Sequence, residues 1–270
     1  MTPRHFLTGL ELGPAELDAL LDRAIELKSA PLSSRALAGR GVGLIFEKPS
    51  TRTRLSFEMG VYELGGHPLV LRSGEMQFSR GESPRDTAFV LSRQVAAVGI
   101  RTGPDAVVEE LAEYADIPVI NMLTALHHPC QALADLMTAR EAFGELTGLR
   151  LAYVGDGTNV ARSLAILGSL AGMDVAIASP EGYALEEDLS LPPRAEGSLT
   201  LYRDPREAAR GAHVLYTDVW VSMGDEAQAE RMRSLLAGYQ LGEELLARAK
   251  PDAIVLHCLP AHPGEEITEA

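Results

Sequence analysis

The chain has 270 residues, 46% of them hydrophobic, and a formal net charge of -14. That length holds one large or two ordinary domains and that apolar content builds a core, which argues against disorder; the acidic balance argues against a nucleic-acid surface or an anionic membrane as partner, since both call for a basic patch. No apolar run approaches a membrane span, residues 1–6 lack the pattern of a signal peptide, and two cysteines are too few for a disulfide framework, so the expectation is a cytoplasmic protein.

Apolar residues at helical spacing from Glu11 to Lys28 predict a surface helix, with Pro14 placed to open it. Residues 42–46 form an apolar run that reads as a buried strand, and an amphipathic helix follows through Leu55, Phe57, Met59, Val61 and Tyr62. Between them stands Pro49-Ser50-Thr51-Arg52-Thr53-Arg54, with Pro49 expected at the opening of the helix. Free backbone N–H groups at a helix start, hydroxyls and guanidinium groups together describe an anion site; a polar capping turn with solvated arginines is the other reading. A short strand at 68–71 leads into residues 72–85, the longest irregular stretch of the first half and one of functional length. Helices are predicted at 86–93 and 107–114, strands at 96–100 and 118–121, and a helix at 131–143 that bridges to a second unit. There the predicted strands are 151–154, 175–178, one resuming near Leu199, 213–217 and 254–257, with helices at 160–171 and 205–210. This alternation predicts an α/β protein of two doubly wound parallel-sheet domains joined by a bridging helix.

In such sheets ligands gather at the carboxyl ends of strands, and the unusual polar clusters fall there: Ser50 to Arg54, Arg101-Thr102, His128 to Gln131, Asn159, Asp218 and His257-Cys258. The expectation is that these line a crevice between the halves. The turn Gly155-Asp156-Gly157-Thr158-Asn159-Val160 resembles a dinucleotide fingerprint only in part, because Val160 stands at the third glycine position and no acid clearly ends the next strand. A metal site could be assembled from His127, His128, Cys130, His257, Cys258 and His262, but none of these spacings is that of a zinc ligand pair.

Taken together, Ser50-Thr51-Arg52-Thr53-Arg54, His128-Pro129-Cys130-Gln131, Asp218-Val219-Trp220-Val221-Ser222-Met223-Gly224 and His257-Cys258-Leu259-Pro260 resemble, in order, the signatures of the aspartate/ornithine carbamoyltransferase family. The match runs from Phe6 to the end of the chain, and the Ser-Met-Gly and His-Cys-Leu-Pro motifs resemble the ornithine branch and not the aspartate branch. The resemblance implies a carbamoyl phosphate-binding domain at 1–131 and an ornithine-binding domain at 132–270. It implies transfer of the carbamoyl group of carbamoyl phosphate to the side-chain amine of L-ornithine, giving citrulline and phosphate in arginine biosynthesis, with no cofactor and no metal. By the same resemblance Ser50, Thr51, Arg52 and Thr53 hold the phosphate with Arg101. His128 and Gln131, with Arg101, donate to the carbonyl oxygen, and Cys258 and Leu259 complete the carbamoyl phosphate site. Leu123, Asn159, Asp218, Ser222 and Met223 hold ornithine, while Gln77 reaches a neighbouring subunit's site, which implies a homotrimer. The catalytic set is Arg101, His128, Gln131 and Cys258. Relatives continue past the region matching 265–270 into another strand, an arginine and a last helix, so the second domain is expected to be incomplete relative to the family. A carbamoyltransferase for putrescine or an acylated ornithine, or a non-catalytic carbamoyl phosphate-binding relative, are the competing readings.

Overall fold

The computed structural model describes residues 3–77, 81–186, 189–221 and 229–269, and the chain folds as two compact units. One comprises Met1–Leu12 with Ala19–Cys130, the other Gly13–Asp18 with Gln131–Ala270.

Helix α1 (Pro14–Ser29) is divided between the units, and the first unit continues through β1 (Gly41–Phe46), α2 (Arg52–Glu63), β2 (His67–Arg72), α3 (Pro84–Leu91), β3 (Ala97–Arg101), α4 (Asp105–Tyr114) and β4 (Val119–Leu123). The strands pair in parallel in the order β2-β1-β3-β4, with β1 and β3 at the centre. That placement explains why 42–46 reads as an unbroken apolar run: Val42, Leu44, Ile45 and Phe46 are buried, because helices cover both faces of such a sheet. One core lies under Ile45, Val98, Ile100, Val108 and Leu111, another around Leu44, Phe46, Val61 and Met122. The α1 helix opens at Pro14, as its sequence predicts.

The second unit takes its start from α5 (Pro129–Phe143), whose first turn holds the division between Cys130 and Gln131. It continues through β5 (Arg150–Val154), α6 (Asn159–Leu170), β6 (Asp174–Ala178), β7 (Ser198–Tyr202), α7 (Pro205–Ala209), β8 (Val214–Thr217), α8 (Ala229–Leu236), α9 (Glu243–Leu246) and β9 (Ile254–His257). Its five strands are parallel in the order β7-β6-β5-β8-β9. The order reverses direction beside β5, and the strand-end loops on either side of that reversal are where an open α/β sheet holds ligands.

Several predicted boundaries move for physical reasons. Pro49 does not open α2, which starts at Arg52 with Thr51 as its N-cap. The stretch 72–85 is not wholly irregular, since Ser73–Glu75 makes a 3-10 turn and Ser83 caps α3 by accepting from Asp86 N at 3.1 Å. Helix α5 begins at Pro129, a residue suited to a first turn whose N–H groups lack helical partners. The helices α8 and α9 went unread; α8 shows its apolar face only as Met232 and Leu236, four apart, which pack with Trp220. Among the described residues no helix is long and apolar enough to cross a membrane.

Candidate active site

In the first unit the candidate residues sit where three adjacent strands end. Strand β1 ends at Phe46, and Ser50 and Thr51 lie in the turn from it to α2, while Arg52 and Thr53 form the first turn of the helix. Thr51 itself makes no side-chain cap bond, so its hydroxyl is not consumed by the helix it precedes. Next to β1, β3 ends at Arg101, whose Nη1 donates to Thr53 Oγ1 at 2.9 Å. That bond joins a residue of the hydroxyl-rich turn to a guanidinium 48 positions away. Thr102, fully buried, donates to Glu47, and Glu47 N donates to Arg101 O at 3.0 Å, so the two strand ends are tied through both side chain and backbone.

On the other side of β3, β4 delivers Leu123 and then the loop to α5. His128 stands at the end of that loop. Burial, and then the nearby Arg101 charge, hold its imidazole pKa down to about 3, so the ring is neutral at any ordinary pH. A neutral imidazole keeps one N–H donor and no charge of its own. Cys130, by contrast, is a thiol that burial pushes up to about 12 and that donates to Asn121 O at 3.3 Å, an environment that suits packing and disfavours the thiolate. Gln77 is exposed.

In the second unit Gln131 lies in the first turn of α5 and donates from Nε2 to Asp135 Oδ1, one turn on, at 2.9 Å. Burial lifts the Asp135 carboxyl to about 7 against the opposing bond from Gln131. Sequence reasoning passed over Asp135, although a carboxylate four residues after a helical Gln faces it. Asp135 and the Tyr216 hydroxyl influence each other's titration, and Tyr216 stacks on Tyr153 with centroids 5.8 Å apart.

Asp218 follows β8 and is 6% exposed. Its Oδ1 accepts from Cys258 Sγ at 2.8 Å and from Val219 N at 2.7 Å; burial nonetheless raises its pKa, outweighing those two bonds. The loop after β9 thus meets the loop after β8. His257 Nδ1 accepts from Leu259 N at 2.8 Å, which leaves Nε2 to carry the proton and donate to Glu266 Oε1 at 3.0 Å. Glu266 is fully buried, also accepts from His262 N, and was missed in the sequence, where it stands between Glu265 and Glu269 with nothing in composition to set it apart. Leu259 is half exposed with φ 64, a left-handed conformation that a branched side chain adopts at a cost. Asn159 is the first residue of α6. Ser222 and Met223 lie outside the described residues.

The glycine turn after β5 is built for packing. A Cβ on Gly157 would stand 2.7 Å from both Leu185 N and Tyr183 O, and Gly157 N donates to that Tyr183 carbonyl at 2.7 Å. The chain at 183–185 occupies the close approach that a dinucleotide fingerprint would leave to pyrophosphate. Of the proposed metal grouping, His257 and Cys258 come together, with Asp218 in place of the others: one ligand atom from each lies within 4.8 Å of the rest.

Residues 4–141 match the family described as the aspartate/ornithine carbamoyltransferase carbamoyl-P binding domain, and residues 147–270 match its Asp/Orn binding domain. An ornithine carbamoyltransferase of Methanoculleus marisnigri is 51% identical over 98% of this chain and 87% of its own. One of Acidothermus cellulolyticus is 52% identical over the same shares. The solved ornithine carbamoyltransferase of Pyrococcus furiosus superposes with a TM-score of 0.93 at 45% identity, covering 99% of this chain and 88% of that one. With a hydroxyl-rich turn bonded to Arg101 in one unit, an Asp218–Cys258 pair in the other, and relatives alike along nearly the whole chain, the protein belongs to the aspartate/ornithine carbamoyltransferase family.

Proposed function

We propose that the chain transfers the carbamoyl group of carbamoyl phosphate to the side-chain amine of L-ornithine, releasing citrulline and phosphate. The observation that carries this reading furthest is the Arg101–Thr53 bond, because it puts a fixed cation and a hydroxyl at the start of a helix, the donor set a phosphate dianion requires. Ser50, Thr51, Arg52 and Thr53 hold the phosphate with Arg101. The uncharged amine attacks the carbonyl carbon, its electron pair forms the new C–N bond, and the carbonyl π electrons move onto oxygen. Arg101, His128 and Gln131 stabilise that oxyanion. As the carbonyl re-forms, the C–O bond to phosphate breaks, phosphate leaves with that electron pair, and its oxygen takes up the proton that the amine nitrogen loses.

The neutral His128 ring suits an N–H donor to the carbonyl oxygen and not a base. Asp218 pairs with the α-ammonium of ornithine, with Asn159, Ser222 and Met223 at the amino-acid end. Leu123 and Cys258 line the side-chain path, and Leu259 contacts carbamoyl phosphate. The division of labour is 1–131 for carbamoyl phosphate and 132–270 for ornithine, in line with the descriptions of the two matching regions. Cys130 and Cys258 are not joined in a disulfide, which accords with a reducing compartment, and the cytoplasm is the proposed location. Gln77, exposed beyond β2, is proposed to serve a neighbouring subunit of a homotrimer.

Replacing Arg101 tests the assignment. Arg101→Ala removes one preorganised donor and is expected to lower kcat on the order of a hundredfold or more with the far-UV circular dichroism unchanged. An unaltered kcat in the folded variant would remove Arg101 from the site.

A further inference from the structure

Asp105, the first residue of α4, gathers three donors from a single loop of the neighbouring strand connection. Its Oδ1 accepts from Thr124 Oγ1 at 2.6 Å and from His127 Nδ1 at 2.8 Å, and its Oδ2 accepts from Leu126 N at 3.1 Å. The loop is also closed on itself: Thr124 N donates to His127 O at 2.8 Å, and His127 N donates to Thr124 Oγ1 at 3.2 Å. Asn121 Nδ2 reaches the same Thr124 oxygen at 3.1 Å. Residues 124–127 are therefore a knotted turn, and Asp105 is the one carboxylate in that set of bonds.

The position of the knot gives it consequence. His128 follows it directly, and Arg101 precedes Asp105 by Thr102, Gly103 and Pro104, the last with a ring-fixed φ of -71. The two connections are stitched by backbone as well, with Thr102 N donating to Leu123 O at 3.0 Å and Ala125 N donating to Gly103 O at 2.7 Å. Those stitches fix the strand ends. The Asp105 carboxylate, acting with the Thr124–His127 bonds, ties down the last part of the loop, which His128 directly follows.

Burial by itself would lift the Asp105 carboxyl, yet its bonds to His127, Thr124 and Leu126 outweigh that and hold it below its ordinary value, as expected of a carboxylate that is ionised and fully engaged. At 16% side-chain exposure against 13% for His127, the pair is screened far less than a surface ion pair.

We propose that Asp105 is a positioning residue for carbamoyl transfer: its carboxylate clamps the 124–127 turn and so sets the orientation of His128 relative to Arg101. This rests on the proposed role of His128 as donor to the carbonyl oxygen. An N–H that strengthens its bond as charge develops acts on kcat more than on substrate binding, so a misaimed His128 has a recognisable kinetic signature.

The test uses the full chain and three variants, with kcat, both KM values and the His128 ring 15N shifts as readouts. Asp105→Ala opens the clamp and is expected to lower kcat at least tenfold, with both KM values changed less than threefold and the His128 ring resonances moved. Asp105→Asn keeps the size and one acceptor oxygen, folds as the parent does, and is expected to recover part of the lost kcat. His127→Ala removes a single donor and is expected to cost less than Asp105→Ala. A folded Asp105→Ala, or a folded Asp105→Asn should the alanine variant not fold, with parental kcat and unmoved His128 resonances overturns the clamp. So does a loss that appears only in melting temperature. A parent chain that makes no citrulline contradicts the carbamoyltransferase reading instead, and the His128 resonances still report on the clamp.

Discussion

Buried ionisable side chains set the chemistry at the scale of single residues, and two of them leave opposite marks on stability. Asp135 has a folded pKa of about 7 against an ordinary 3.8, so between those values the folded chain binds a proton that the unfolded chain has released. Its contribution to stability therefore declines as pH rises from about 4 to about 7, by an amount on the order of a few kcal/mol. His128 works the other way. Its folded pKa of about 3 lies below the ordinary 6.5, so lowering the pH from 6.5 toward 3 favours the unfolded chain, which alone takes up the proton. The two slopes oppose one another between about 4 and 6.5. Asp135→Asn removes one of them, and urea unfolding at several pH values is expected to show parent minus variant stability falling steadily from pH 4 to pH 7 and then levelling. A difference independent of pH would mean that Asp135 is ionised throughout that range in the folded protein. Asp218→Asn belongs at this scale too. Only the α-ammonium of ornithine meets that carboxylate in the proposed site, so calorimetry is expected to find ornithine binding weakened far more than carbamoyl phosphate binding, and equal weakening of both would argue against the pairing.

The connections between elements hold the less legible part of the molecule. Strands β1, β3, β5 and β8 were readable because parallel strands buried on both faces give continuous apolar runs, and the clusters at their ends were readable because polar residues interrupt those runs. Helix starts were less so. Pro49 and Pro129 both precede helical sequence, yet only Pro129 begins a helix, since the choice between them depends on where the chain leaves the sheet and not on local pattern. Asp105 and Glu47 were invisible for a related reason: each finds a partner 22 or 55 residues away, across a strand or loop, and no local spacing encodes that meeting; Glu266 meets His257, nine residues before it, as well as His262, four before it. Asp135 was passed over although its partner Gln131 lies only one turn before it, a spacing that local pattern does encode. The turn after β5 offers a direct check of the packing account of its glycines. Gly157→Ala forces a Cβ to within 2.7 Å of two backbone atoms of the 183–185 segment. Overpacking of this kind costs about 1–3 kcal/mol, and the urea midpoint is expected to fall accordingly. An unchanged midpoint would show that the segment yields freely and that the close approach is incidental.

At the scale of the whole molecule, two parallel sheets each end in a set of polar residues, one proposed for an oxyanion and the other for an amino acid. The first set combines Arg101, Thr53 and a neutral His128, and the second holds the Asp218–Cys258 pair, while Gln131, bonded to Asp135, is proposed for the carbonyl oxygen. Carbamoyl transfer needs both kinds of group, because a dianion must be held, a carbonyl polarised and an uncharged amine aligned. The acidic balance of the chain gives no help in attracting an anionic substrate, so in the proposed site recognition is left to the local cations Arg52 and Arg101. The measurement that tests this account most directly is product formation by the full chain from carbamoyl phosphate with L-ornithine, putrescine or N-acetyl-L-ornithine as acceptor, each compared by kcat/KM. The account predicts citrulline and phosphate in equal amounts, with ornithine preferred over both other amines by at least a hundredfold, about 2.7 kcal/mol. Preference for putrescine or the acylated amine, or carbamoyl phosphate binding without turnover of any acceptor, would contradict it.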